Sequence, residues 1–438
     1  MMKIRVLFPL LLLLCAFAPV FAQTVNHSTT DEPLPLAQHA SAAQPRAITL
    51  SVKSLNSQLE EAQTLLKEHA ASVVQVSSDF VTLAALDKTD ARIHLLSLQK
   101  ELFLKRGTEI EAVTSAGAPA RVTIVRANGV NTAVQILDTE NNRQLVPLVV
   151  QYPILRDGEL REMAYYTSAH PALLSPDVVR EGGSYVRMML DNAAARLRAQ
   201  GVAIEPEIVD IAEHLCIVEH TDHSRFLKEE RGALFNEILS LYALNAPNTY
   251  RYSVSSAGAG GMVQMIPSTY AMVRRLHPNA NLKDDFVSGM TDHSNALEAM
   301  LLYMQDTWND LLRSSDVRDA LANGIATQPE LVAAGYNSNP ARLPSYIRRG
   351  GAGWRNLIPT ETQMYLRIYA SLDQLYFHNN PAPTRRAQPT GVTPLVATLL
   401  TVWQNAANAP HASVIGRLLP ALSEGFMKGG GLSTSSGS

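Results

Sequence analysis

The chain has 438 residues, of which 46% are hydrophobic and 18% charged, and its formal net charge is −3. This composition supports a sizeable buried core and excludes wholesale disorder, and the length predicts two domains. A net negative charge gives no global positive field, which disfavours nucleic acid and anionic membrane surfaces as partners.

Residues 1–22 have the pattern of a secretory signal peptide. Lys3 and Arg5 give a positive start, an apolar run follows, and small residues precede the expected cleavage after Ala22. The apolar run is short for a membrane span, so an uncleaved anchor is the lesser alternative. Cleavage would leave Cys216 as the single cysteine, without an intrachain disulfide, which is typical of a protein exported to a bacterial periplasm.

The next part of the chain predicts a mixed region. Residues 23–46 are interpreted as a flexible leader and residues 47–175 as an α+β region of unknown role. Helical spacing begins near Val52 and returns over residues 93–104. Three apolar runs predict strands, at residues 122–125, 133–137 and 145–152, with the turn signal Asn128-Gly129 between the first two. This region is the candidate for contacts with other envelope proteins.

From Pro176 to about Tyr376 the pattern is helical, and we predict a helical domain over residues 176–380. A proline-rich linker at 381–394, one or two helices within 395–428 and a disordered Gly/Ser tail at 429–438 follow. The expected fold is therefore mainly α, with an α-helical catalytic domain preceded by a smaller α+β region.

The first segment that bears on chemistry is a predicted helix that starts near Pro206. Ile208, Ile211, Ala212 and Leu215 are spaced as one helical face, and Glu219 continues that series near the end of the helix. An apolar environment and the negative end of the helix dipole both disfavour a charged carboxylate there, so the pKa of Glu219 should rise, as a general acid requires. The alternative is a solvated glutamate at a frayed helix end.

The second segment is glycine-rich and runs from Ser256 to Pro267. Its small residues allow tight turns and close approach to a ligand, and Gln264 then presents an amide near a cleft. The third segment places Tyr336 and Asn337 at a turn fixed by Pro340, where they suit a polar ligand with an apolar face, such as a sugar. The alternatives are a loop that only packs two helices and a core tyrosine.

In their order these segments resemble the soluble lytic transglycosylases, whose catalytic domain has the goose-type lysozyme fold. The resemblance falls within about residues 200–376, where its ordered blocks span roughly a third of the chain, and it implies a lysozyme-like catalytic domain. The matching positions are Glu219, Ser256, Gly258, Ala259, Gly261, Gln264, Pro267, Ala333, Tyr336, Asn337, Pro340, Arg342, Glu361, Thr362 and Tyr365.

The sequence departs from the family in residues and in spacing. His220 replaces the serine that follows the catalytic glutamate, Met262-Val263 replaces Leu-Met, and Ser338-Asn339 replaces Ala-Gly. The stretch between Glu219 and Ser256 is also longer than in the family, which predicts a helical insert over about residues 226–250 packed beside the cleft. Glu237 lies in this insert and is a rival for the acid.

The resemblance implies cleavage of the peptidoglycan glycan strand between N-acetylmuramic acid and N-acetylglucosamine, with no metal or cofactor. Glu219 would act alone as acid and then base, and the product would carry a 1,6-anhydro ring. Gln264, Tyr336 and Asn337 would orient the sugars, and Gly261, Met262 and Tyr365 would line the same site.

Two other classes of function remain open. One is a metal enzyme, because six candidate ligands lie close together in the sequence, although their spacing fits no zinc signature. These candidates are His214, Cys216, Glu219, His220, Asp222 and His223. The other is a peptidoglycan-binding or scaffold protein in which catalysis has lapsed, since a fold does not guarantee a function.

Overall fold

The computed structural model describes residues 52–72 and 78–377. The predicted signal peptide, leader, proline-rich linker, carboxy-terminal helices and tail lie outside the described residues. Among those described, no helix is both long and apolar enough to cross a membrane.

The amino-terminal part is one helix followed by seven strands. Helix α1 spans Val52–Ser72 and the short helix α2 spans Lys100–Phe103. The strands are β1 Phe80–Asp87, β2 Arg92–Gln99, β3 Glu109–Val113, β4 Pro119–Arg126, β5 Ala133–Asp138, β6 Arg143–Arg156 and β7 Glu159–Tyr166.

All strand pairs are antiparallel, in the order β2-β1-β6-β5-β4-β3, with β7 also paired to β6. The sheet curls so that its two edge strands come into contact. The backbone N–H of Ser115, just after β3, donates to the carbonyl of Leu95 in β2 at 2.8 Å. The concave side holds an apolar core that includes Phe103, Val122 and Ile136.

The prediction of a mainly α fold, with a lysozyme-like domain preceded by a smaller α+β region, is wrong. The chain is α+β, and its curled sheet is a principal layer of the structure. Residues 93–104, expected to be a helix, form β2 and the four-residue α2. Adjacent Leu95 and Leu96 fit a helical face as well as a strand, so their spacing does not separate the two structures.

Strand β1, which the sequence did not predict, is covered on both faces. In β1, Val81, Leu83 and Ala85 face the concave core, whereas Ala84 and Leu86 belong to a second core under α1. Helix α1 contributes Leu55, Leu59, Ala62 and Leu66 to that second core, which is the apolar face expected from their spacing. A strand buried on both faces shows no polar alternation, and so β1 gives little strand signal.

From Pro176 onward the described chain is helical. The helices are α3 Pro176–Ala199, α4 Pro206–Val218, α5 His223–Lys228, α6 Arg231–Asn245, α7 Pro267–Leu276, α8 Phe286–Thr291, α9 His293–Leu311, α10 Ser315–Ala322, α11 Gln328–Asn337, α12 Leu343–Gly350 and α13 Thr360–Leu372. Helix α9 is buried along most of its length, and α3, α4, α7, α8 and α11 pack around it.

Helix α6, together with α5, is the predicted insert, and it joins the sheet to the other helices. Phe235 and Tyr242 lie in the helical core, Leu241 in the concave core of the sheet, and Leu244 in the core under α1. At its end the Asn245 side chain bonds both backbone groups of Thr167, just after β7, at 2.7 and 2.8 Å. The insert therefore supports three cores at once.

Candidate active site

Glu219 follows the last residue of α4 and caps the end of that helix. Its carboxyl oxygen Oε1 accepts a hydrogen bond of 2.7 Å from the hydroxyl of Tyr365 in α13. Helices α4 and α13 pack directly on each other, which holds the two side chains in register. Within the described part of the chain, no side chain or backbone group bonds the second oxygen, Oε2, so it remains available to a ligand.

The side chain of Glu219 is partly accessible but lies among apolar and aromatic groups. Burial raises the pKa of Glu219 to about 8, the Tyr365 hydroxyl offsets part of that rise, and the negative charge of Glu361 adds to it. The carboxyl is therefore mainly protonated at neutral pH, which is the state that a general acid needs.

Glu219 lies in the wall of an open cleft of about 1050 Å³. The same cleft is lined by Gln264, Tyr336, Asn337 and Tyr365, so the structure brings five of the seven predicted site residues together. Glu361 also lines it and is exposed. The cleft is large enough for several sugar rings.

The other two predicted site residues, Gly261 and Met262, lie behind the cleft wall. Gly261 has φ +68°, and a Cβ at this position would come within 2.2 Å of the carbonyl oxygen of Met290, so only glycine fits without displacement. Met262 is fully buried, and its carbonyl accepts a hydrogen bond of 2.9 Å from His220 Nε2. Both residues shape the glycine-rich loop.

Gln264 is fixed by that loop. Its backbone is left-handed, with φ +46°, and its amide Nε2 donates to the carbonyl of Gly261 at 2.8 Å and to Ser253 Oγ at 3.3 Å. No described residue donates to its oxygen Oε1, which leaves one hydrogen-bond acceptor for a ligand in the cleft.

Tyr336 and Asn337 come from the end of α11 and are fixed just as firmly. The Tyr336 hydroxyl donates to the carbonyl of Val263 at 2.7 Å, which ties α11 to the glycine-rich loop. Asn337 Oδ1 accepts from Thr362 Oγ1 at 2.8 Å, and its amide nitrogen meets no acceptor among the residues described. The cleft thus offers an amide donor from Asn337 in addition to the Gln264 acceptor.

The rival acid Glu237 is held as a charged group. Burial acts to raise the pKa of Glu237, but the guanidinium groups of Arg225 and Arg126 outweigh it and hold the pKa below its ordinary value. Their nitrogen–oxygen distances to the carboxylate are 2.7 and 2.8 Å. A carboxylate paired in this way is a poor proton donor at neutral pH.

The six candidate metal ligands around Glu219 do not converge on one point. His214 bonds Asp373, His220 bonds Met262, and Asp222 caps α5 through the N–H of Arg225. Within residues 52–72 and 78–377, the group close enough to share a cation is Asp87, Asp90 and His94, at the turn between β1 and β2. That group is far from the cleft in the sequence and lines neither wall of it.

Two residues that support the site are not apparent from the sequence. Ser253 holds the Gln264 amide, and Tyr250 stacks on His220. Both lie in an irregular stretch before the glycine-rich loop, where no periodicity marks a packed side chain. The density of aromatic and polar residues in Tyr250-Arg251-Tyr252-Ser253 is the one available signal.

No family model matches this chain, and no curated protein or solved structure matches it either.

Proposed function

We propose that this protein is an exported lytic transglycosylase of peptidoglycan, which cleaves the bond between N-acetylmuramic acid and N-acetylglucosamine. The observation that carries the proposal is the carboxyl of Glu219, protonated at neutral pH, fixed by Tyr365 and set in the wall of a sugar-sized cleft. The ordered motifs supply the substrate class, and their convergence on one cleft supports it.

In this proposal Glu219 donates its proton to the glycosidic oxygen, and the bond from that oxygen to C1 of the muramoyl sugar breaks. The 2-acetamido oxygen of the same sugar stabilises the positive charge at C1. The 6-hydroxyl then attacks C1 and gives its proton to Glu219, which restores the acid. The products are a 1,6-anhydromuramoyl end and a free 4-hydroxyl, and no water is consumed.

Tyr365 serves both stages. Its hydroxyl stabilises the Glu219 carboxylate that forms after proton donation, so the same hydrogen bond lowers the cost of the charged intermediate state. The unpaired Oε1 of Gln264 and amide nitrogen of Asn337 are placed to bond sugar hydroxyl and acetamido groups.

A second candidate is hydrolysis of the same bond, which Glu361 favours. Its carboxylate lines the same cleft and lies close enough to Glu219 to raise the pKa of that residue. A second carboxylate that activates water would make the enzyme an inverting hydrolase. A lapsed enzyme that only binds glycan is the third possibility, and one experiment separates all three.

The experiment is digestion of purified sacculi, with mass analysis of the soluble products. Wild type should release anhydromuropeptides, Glu219→Gln should lower release by a factor of about 10³, and Glu207→Gln, an exposed glutamate in the first turn of α4, should match wild type. Reducing-end products that vanish in Glu361→Gln would indicate hydrolysis. Binding without release by any form would favour the scaffold.

We place this reaction in the periplasm, on the basis of the signal-peptide pattern in residues 1–22. Fractionation of cells that express the full chain tests this placement, and a protein retained in the cytoplasm would contradict it.

A further inference from the structure

A second cleft, of about 1210 Å³, adjoins the first at Glu219 and Thr221. One wall is formed by the sheet, from the ends of β4 and β6, and the other by α5, α6 and the stretch around Tyr250. Glu219 therefore faces both the cleft that holds Gln264 and Tyr336 and a second cleft that these residues do not line.

The second cleft is basic although the protein as a whole is acidic. Six lysine or arginine side chains line it, against four acidic side chains besides Glu219. Four of those six come from the sheet or its connections, namely Lys100, Arg106, Arg126 and Arg156. Low-dielectric walls concentrate such a field inside a cleft and favour an anionic ligand.

The ion pairs within the second cleft show which of its positive charges are not neutralised by a described carboxylate. Arg126 and Arg225 are used by Glu237, and Arg251 lies 3.4 Å from Glu162. The side chains of Arg106 and Arg156 are exposed, and neither makes a hydrogen bond or ion pair with any residue that the structure describes. Arg156 influences the carboxylate of Asp285 only at a distance, by lowering its pKa.

Apolar side chains line the same cleft as these cations. Val125, Leu155, Val254 and Val287 line the second cleft, and each is exposed, between 37% and 72%. Exposed aliphatic groups in one cleft with guanidinium groups that no described residue pairs suit a ligand that carries both carboxylates and alkyl side chains. An unmodified sugar chain has neither in this combination.

We propose that the second cleft binds the peptide stem of the muramoyl residue that reacts at Glu219, with Arg106 and Arg156 paired to its carboxylates. The inference rests on the proposed function. The stem is attached to the muramoyl sugar itself, so a strand with its reactive bond at Glu219 starts its stem at the mouth of this cleft. The aliphatic groups pack on the stem side chains, and the sheet thereby becomes part of the substrate-binding surface.

The test measures binding rather than cleavage, in the full-length protein with Glu219→Gln to prevent turnover. Fluorescently labelled glycan strands of one length are prepared with intact stems and with stems removed by an amidase, and the lactyl carboxylate that the amidase leaves on each muramoyl residue is converted to its methyl amide. Affinity is measured by anisotropy for Glu219→Gln alone and with Arg106→Gln and Arg156→Gln added. The matched control adds Arg198→Gln and Arg367→Gln, two exposed arginines outside both clefts.

We expect the Arg106→Gln and Arg156→Gln pair to weaken binding of stem-bearing strands about tenfold and to leave binding of stripped strands unchanged. The loss should shrink at high salt, and the control pair should stay within about twofold of the parent. Equal weakening for both kinds of strand would mean that the cleft binds the glycan itself, and no weakening for either would also overturn the inference.

Failure of the proposed function would be seen in the digestion of sacculi, not in this binding experiment. If wild type released no product from sacculi, the assignment of Glu219 as the acid would fall, whereas preference for stem-bearing strands that depends on Arg106 and Arg156 would still establish the stem site. Because both arginines are exposed, a loss of folding is not expected, and circular dichroism of each variant checks it.

Discussion

The imidazole of His220 lies flat on the ring of Tyr250, with ring centroids 3.4 Å apart and planes within 1° of parallel. Its Nε2 donates to the carbonyl of Met262, so the residue next to Glu219 holds the glycine-rich loop. On the far side, Tyr250 packs against the concave core of the sheet, which contains Tyr166, the last residue of β7. A continuous line of contacts thus connects the sheet to the loop that carries Gln264.

We therefore expect His220→Phe to keep the ring contact with Tyr250 and to lose the hydrogen bond to the Met262 carbonyl. The carbonyl of Met262 would be left without its donor in a buried site, which should lower the free energy of unfolding by about 1–3 kcal/mol. The loosened loop should raise KM for glycan strands more than it lowers kcat. Urea unfolding and steady-state kinetics measure the two effects, and a variant of wild-type stability would contradict the anchoring role.

The same substitution should change the acid stability of the protein. Burial lowers the pKa of His220 from 6.5 to about 3, and the bond to Met262 offsets only part of that shift. As the pH falls from about 6.5 toward 3, the unfolded chain takes up a proton that the folded chain refuses, so the free energy of unfolding decreases. His220→Phe should reduce this loss, as measured by urea unfolding between pH 7 and pH 4.

Tyr365→Phe should shift the pH dependence of activity. The Tyr365 hydroxyl bonds the Glu219 carboxylate and favours its charged form, so its removal should raise the pKa of Glu219 above about 8. We expect the basic limb of kcat/KM to move to higher pH and kcat to fall about tenfold. Tyr369→Phe, one turn further along α13 and outside the cleft, is the control. An unmoved basic limb would show that the hydrogen bond does not act on the acid.

Glu219→Gln should stabilise the fold at neutral pH while it abolishes activity. Burial raises the pKa of Glu219 from 4.5 to about 8, so the folded chain retains a proton that the unfolded chain loses above pH 4.5. The wild-type free energy of unfolding should therefore decrease as the pH rises from about 4.5 to about 8, by at most about 1.4 kcal/mol per unit. Glutamine removes this dependence. The advantage of the variant over wild type should be small at pH 4.5 and larger at pH 7.5, and a constant difference would contradict the burial of the acid.

Two glycines of the same loop offer a matched pair of substitutions. Gly258 has φ +77° with nothing within 4 Å of an added Cβ, whereas Gly261 has φ +68° with the Met290 carbonyl 2.2 Å away. Gly258→Ala should cost about 1–2 kcal/mol for its left-handed backbone. Gly261→Ala should cost clearly more, because the loop must also move away from α8. Thermal or urea unfolding compares the two, and equal losses would show that the close approach is easily relieved.

The sequence was informative where one helix face carries the pattern. The residues from Ile208 to Leu215 are buried in α4, and helical spacing alone extends their series to Glu219, which follows the helix and lines the cleft. Segments that meet only in three dimensions gave no such signal. Nothing local connects His220 with Tyr250 thirty positions further on, and nothing marks Arg106 and Arg156 as residues that line a cleft together with Glu219.

The sheet was underestimated for a physical reason. Alternation of apolar and polar residues along a strand is the main sequence signal of a sheet. This alternation is lost where α1 covers one face and the concave core fills the other. The insert was expected from the long spacing after Glu219, and its helical nature followed from its apolar residues. What it packs against could not be predicted, since Leu241 and Leu244 look like any other leucines of a helix.

The contacts of α6 also mean that the helices around Glu219 do not form an independently folding domain. Leu241 is 1% exposed and Leu244 9%, and both are buried against the sheet and α1. A shortened gene product beginning at Pro176 would present these leucines to water along with the bare side chain of Asn245, and it should aggregate when produced alone. Anyone who trims this protein to its smallest working size must keep the strands with the helices.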